Sequence, residues 1–224
     1  MLKKRIMAVA LATIMTLGAS VSVSAGVGSS SGGGADVVVG SDYYEPYIDI
    51  NKPVLLSNEQ LLEMAYNAPG HWLTRSENTL TDRHITDEEL ADWIYEYSYR
   101  GGANAFELEV IRLINIERGL AGLDPLSVER RLMMSARFKS QEMVDLDYFC
   151  HTSPVYGWFT VIPIQLFDAR HIISENLSGG VTTPEGVVAA WMRSPGHRAN
   201  MLREYAVTLG VGRVGNATTM MIGR

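Results

Sequence analysis

Apolar residues recur three and four positions apart through much of this chain, and most such runs follow a residue able to cap a helix. Ser57, with Gln60 at the box position, opens a run of Leu61, Leu62, Met64 and Ala65. Thr86 and Glu89 do the same for Leu90, Trp93, Ile94 and Tyr97. Asn104 and Glu107 lead into Phe106, Val110, Ile111, Ile114 and Arg118, with Gly119 as the stop. Ser127 is read as the start of the next helix, which carries Leu132, Ala136, Lys139 and Met143 on one side and closes at residues 142–145. Thr183, with Pro184 at the first helical position, opens a helix whose apolar face is Val187, Val188, Trp191 and Met192. Ser194-Pro195 repeats the signal three residues after Trp191, so a second short helix begins there and His197 falls in its first turn. A helix N-terminus disfavours the imidazolium and keeps such a ring available as a neutral base or metal ligand.

Elsewhere the period changes. The apolar stretch 155–173, with Trp158, Phe159 and Phe167, is given no element of its own and leads into a short strand over 172–177, closed by Gly179-Gly180. Residues 207–214 alternate as a strand, Gly215-Asn216-Ala217 turns, and 218–222 returns as the last strand. The pattern is α+β, with helices around a small, mostly antiparallel sheet.

Ahead of these elements, residues 1–25 read as an export signal. Lys3-Lys4-Arg5 is a basic head, Ile6 to Ala19 an apolar run too short to span a bilayer, and Val23-Ser24-Ala25 a small-residue cleavage site. Residues 26–53 are a Ser/Gly-rich and then extended linker, 54–102 a helical N-terminal extension, and 103–224 the main domain. His71 and His84 in the extension receive no role.

The formal net charge is −6, and loss of the signal makes the chain three charges more acidic. An acidic chain without a basic cluster excludes nucleic acid as its main partner. No second long apolar run follows the signal, which implies no stable membrane insertion after cleavage and a secreted, extracellular protein. The one cysteine, Cys150, cannot form an internal disulfide, so the fold relies on packing. Cys150 is read as a small buried or half-buried thiol. In an extended segment its side chain points away from that of His151, against a thiol–imidazole pair.

Four blocks occur in order: Phe149-Cys150-His151-Thr152-Ser153-Pro154, then Ser174-Glu175-Asn176-Leu177, then Trp191 through Leu202, then Leu209-Gly210-Val211-Gly212. Over residues 103–224 the chain resembles the bacterial branch of the CAP superfamily, which covers cysteine-rich secretory proteins, antigen 5 and plant pathogenesis-related protein 1. The resemblance implies a three-layer α/β/α sandwich. It also implies a cleft shared by two histidines and two acids, with zinc held by the histidines in some members. His151 and His197 match the two histidines, and Glu175 matches the glutamate of the Gly-Glu-Asn motif, with Ser174 in place of the glycine. Ser194 stands where many eukaryotic members carry the second acid.

The candidate ligand cleft is therefore His151, Glu175, Asn176, Ser194 and His197. His151 and His197 are the possible metal ligands, zinc the possible cofactor, and Glu175 the candidate catalytic base. Two imidazoles and a carboxylate suit an open zinc site or a base with an orienting acid. The same residues also suit purely structural roles in turns and caps. Asn176 and Asn200 are expected to hold loops, Arg198 to pair with Glu204, and Trp191 to lie in the core. His171 has no partner in the sequence pattern, and Asp168 and Arg170 look solvated. The leading expectation is a secreted binding module for a small lipid, a peptide or a cell-envelope component. A zinc-assisted hydrolase of peptide or ester bonds, and a structural surface protein, are the alternatives, because a family gives a cleft rather than a reaction.

Overall fold

Three of the helices begin where a reciprocal pair of hydrogen bonds fixes them. The computed structural model describes residues 53–67, 75–99 and 102–224; the readings of residues 1–52 and of His71 lie outside them. Helix α1 (Asn58–Asn67) starts with Gln60 N–H donating to Ser57 Oγ and Ser57 N–H donating to Gln60 Oε1. Helix α2 (Asp87–Tyr99) repeats this with Thr86 and Glu89, and α3 (Ala105–Leu120) with Asn104 and Glu107. Each box satisfies two backbone donors that a bare helix end would leave orphaned. Gly119 does not stop α3. It stays helical, and the left-handed turn residue is Gly122, at φ 73°.

Strand β1 (Ser127–Val128) takes the place where the sequence suggests a helix start. Ser127 N–H donates to Val207 O and Glu129 N–H to Leu209 O, and Val128 exchanges backbone bonds with Val54. These long-range pairings outweigh the local cap signal of Ser127. Helix α4 (Arg130–Asp145) starts only after Glu129, whose side chain makes no cap bond and instead meets His171 Nε2 at 2.5 Å. His171 therefore has a partner that the sequence pattern did not reveal. Next comes α5 (Val161–Phe167), which ends at Asp168 in the left-handed region at φ 52°.

Strand β2 (Ile172–Gly179), helices α6 (Pro184–Arg193) and α7 (Pro195–Met201), and strands β3 (Thr208–Val214) and β4 (Ala217–Gly223) complete the order. The sheet runs β1-β3-β4-β2, with β1 parallel to β3 and the other pairs antiparallel. Helix α4, with α5 packed on it, covers one face, and α3 and α6 the other, giving the expected three-layer sandwich. Gly210 and Gly212 let α4 lie directly on β3, because a Cβ at either position would land on the α4 backbone. On the opposite face Leu209, Val211, Met220 and Ile222 join Ile111, Ile114, Val187 and Trp191 in one core.

The extension packs as part of the same compact unit, residues 49–224. Helix α1 lies on α3 with Leu61 fully buried, and Trp93 of α2 meets Phe138 of α4 edge-on at 5.5 Å. Gln141 of α4 ties the two stretches together. Its Oε1 accepts from Trp93 Nε1–H and Ser76 N–H, and its amide donates to Asn78 O.

Candidate functional site

Strand β2 is an edge strand of the sheet, opposite β1, and residues on its two faces reach opposite helical layers. The register sets Glu175 opposite Met221, which lies against Leu132 and Ala136 of α4. Glu175 thus points to the α4 side, and Asn176 to the side of α6 and α7. Between the two layers, at the edge of β2, the loop after α4 brings His151 and the start of α7 brings His197.

His151 Nδ1 lies 2.8 Å from Glu175 Oε1. With the carboxylate ionised, Nδ1 carries the proton and Nε2 keeps a lone pair facing outward chemistry. The His151 side chain is 43% exposed while that of Glu175 is 1% exposed. The second carboxylate oxygen, Oε2, is buried without a hydrogen-bond partner, as is the neighbouring Ser174 Oγ. Burial holds the Glu175 carboxyl above the usual carboxylate range, against the pull of the His151 hydrogen bond and the Lys139 ammonium. His197 is held below the usual imidazole value, first by burial and then by the charge of His151.

The loop that carries His197 is fastened by two asparagines. Asn176 Nδ2–H donates to His197 O at 3.0 Å, and Asn200 Nδ2–H donates to Asn176 Oδ1 at 2.8 Å. Trp191 is buried, and its Nε1–H donates to Leu177 O, fixing α6 on β2. Ser194 is the shared junction of α6 and α7, extended at ψ 118°, and its hydroxyl makes no cap bond. Arg198 forms no ion pair with Glu204; both side chains stand on the exposed surface. Arg170 and Asp168 pair with each other at 2.7 Å and stay exposed. Cys150 is exposed rather than buried.

Behind Glu175 lies a buried network that sequence reasoning missed. Lys139, with no exposed surface, donates to Tyr148 Oη at 2.6 Å. Tyr148 Oη–H donates to Glu142 Oε2, and Ser153 Oγ–H donates to Glu142 Oε1 at 2.6 Å. Burial lowers the Lys139 ammonium, partly offset by the charges of Glu175 and Glu142. A lysine on the apolar stripe of Leu132, Ala136 and Met143 was the available signal. A charge placed among core positions implies buried partners.

The donor set does not fit a zinc centre built from this chain alone. Among the described residues no three His, Cys, Asp or Glu side chains are grouped to hold a metal ion. Glu175 Oε1 is committed to His151 Nδ1, so the carboxylate orients the ring rather than extending the ligand set.

Residues 111–221 match the model of the CAP family, described as the cysteine-rich secretory protein family. A Bacillus subtilis (strain 168) protein, "Uncharacterized protein YkwD", is 44% identical over 115 residues, which is 50% of this chain and 43% of that protein. The 1.5 Å crystal structure of an extracellular protein containing a SCP domain, from Bacillus anthracis str. Ames, aligns with a TM-score of 0.52 at 25% identity. That alignment covers 63% of this chain and 44% of the other. This chain thus spans less than half the length of either relative.

Proposed function

The chain is a member of the CAP superfamily, in its bacterial branch, and from that premise we propose that it is a secreted binding module whose ligand sits at His151, Glu175 and His197. One observation carries the reading. Glu175 is a buried carboxylate with one oxygen held by His151 and the other, Oε2, without a partner. Buried polar groups are almost always hydrogen-bonded, so a carboxylate left half-satisfied beside an accessible imidazole suits a ligand that brings its own donor. Amide and hydroxyl groups of a peptide, of a polar lipid head or of a cell-envelope component meet that need. His151 Nε2 supplies an acceptor and His197 a second ring at the same edge of β2. An extracellular site of action rests on the export signal read in residues 1–25. It agrees with the extracellular Bacillus anthracis protein and with the absence, among the described residues, of a helix long and apolar enough to cross a membrane.

The test is co-sedimentation of the purified protein with envelope fragments from its own cells, against Glu175→Gln and His151→Ala. Retention of the wild type and its loss in both folded variants is expected. Equal retention of all three would remove the cleft from the account, and no retention of any would remove the envelope as the ligand source.

A further inference from the structure

Two large aromatic side chains flank the His151–Glu175 pair, and both stand in solvent. Phe149 and Trp158 are each 57% exposed, whereas Trp93 and Trp191 are 1% exposed. Tryptophan is highly buried on average, so an exposed indole beside a polar cleft is informative. Phe149 sits on Gly179, where a Cβ would come within 3.1 Å of its ring. Glu175 and Gly179 lie four residues apart on one face of β2, a separation of about 13 Å. Trp158 rests on Phe159 at 5.3 Å, and Phe159 packs with Ile172 and Met221, toward the other end of the strand. The His151 loop thus sets an exposed ring on each side of the imidazole and its half-satisfied carboxylate.

We propose that the ligand of this site is a neutral oligosaccharide, bound across His151 with sugar rings on Phe149 and Trp158. The proposal rests on the ligand reading of the cleft and narrows it to one chemical class. A pyranose ring has an apolar C–H face and a rim of hydroxyls. The C–H face packs on an aromatic face, which carries negative charge density. The hydroxyls bring the donor that Glu175 Oε2 lacks and a donor for His151 Nε2. The distance from Glu175 to Gly179 suits a short chain of linked rings rather than a single one. A peptide fits less well. It would dock as a further strand on the edge of β2. There the carbonyls of Leu177 and Glu175 already accept from Trp191 Nε1–H at 3.0 Å and Asn200 Nδ2–H at 3.4 Å. The formal net charge of −6 disfavours a polyanionic glycan.

The test is an NMR titration of the folded protein with cellotriose, mannotriose and triacetylchitotriose, read at the Trp158 indole N–H and the Gly179 amide. Acetyl-trialanine amide, trigalacturonate and dihexanoylphosphatidylcholine serve as peptide, polyanion and lipid controls. At least one of the three neutral trisaccharides is expected to shift both signals saturably, and the controls are not. Phe149→Ala and Trp158→Ala remove exposed rings and keep the core intact. Each should weaken binding by about tenfold, read at the signal of the other site. No saturable shift with any of the three trisaccharides, an equal response to a control, or undiminished binding in either variant overturns the proposal. Envelope retention that is lost in Glu175→Gln, without a trisaccharide response, overturns the sugar and leaves the cleft reading standing. A trisaccharide response unaltered in Glu175→Gln places the sugar away from the cleft and also overturns the proposal. Where Glu175→Gln does not fold, Phe149→Ala and Trp158→Ala decide.

Discussion

His151 Nδ1 and Glu175 Oε1 meet at 2.8 Å across the edge of strand β2, joining a half-exposed ring to a buried carboxylate. The contact fixes the ring's tautomer and leaves Nε2 as the group that faces a ligand. It also places a second ring near His197, whose imidazole is depressed by burial and by His151.

His197 should therefore titrate under the influence of burial and of its neighbour. A depressed folded value means that His197 favours its neutral form on folding, so the stability it confers is present above the ordinary value of 6.5 and falls as pH drops through it. NMR titration should give His197 a midpoint below 6.5. His151→Ala should raise that midpoint only part of the way, because burial, the larger cause, remains. An unmoved midpoint would separate the rings.

Glu175 gives the opposite sign of the usual carboxylate. Its folded value is raised, so folding binds its proton more tightly and the associated stability is present at low pH. That stability is lost as pH rises from the ordinary value of 4.5 through the raised one. Urea midpoints of wild type and Glu175→Gln should diverge across that window, with the variant gaining relative stability as pH rises. Parallel pH profiles would contradict the raised carboxyl.

Lys139 should behave as the cation of a buried set. Lys139→Met leaves Glu142 and Tyr148 without their ammonium neighbour and should cost about 3–5 kcal/mol in urea unfolding at neutral pH. Lys139→Met/Glu142→Gln, which removes both charges, should recover part of that loss. Additive losses in the double variant would show that the two groups do not interact.

Gly212 is set by backbone contact rather than by a turn. A Cβ there would strike the backbone of Ala136 and Arg137, so α4 must lift from β3 to accept it. Gly212→Ala should destabilise by about 3 kcal/mol or more, read from the denaturant midpoint. Gly196→Ala, where a Cβ meets open space, should be close to neutral.

The elements that were legible in the sequence are those set by neighbours along the chain. Ser57 with Gln60, Thr86 with Glu89 and Asn104 with Glu107 each carry their own cap, and the structure uses all three. Ser127 misleads because its conformation is decided by Val207 and Leu209, some eighty residues away, rather than by its own hydroxyl. Helix α5 is seven residues long with Pro163 inside it, too short to show a period. Among the site residues, motif spacing singles out His151, Glu175 and His197. Lys139, Glu142 and Tyr148 belong to no motif, and only folding brings them beneath Glu175. The exposure of Cys150 was equally hidden, since no local pattern around it sets which way its loop faces.

A ligand held at the His151–Glu175 edge of β2 must perturb the rings on either side of it. The most direct measurement is the imidazole nitrogen NMR of His151 and His197 during titration with soluble fragments of the protein's own cell envelope. The signals of both rings are expected to shift together and saturably, and Glu175→Gln to abolish the response. Envelope binding that leaves both imidazoles unchanged would contradict it.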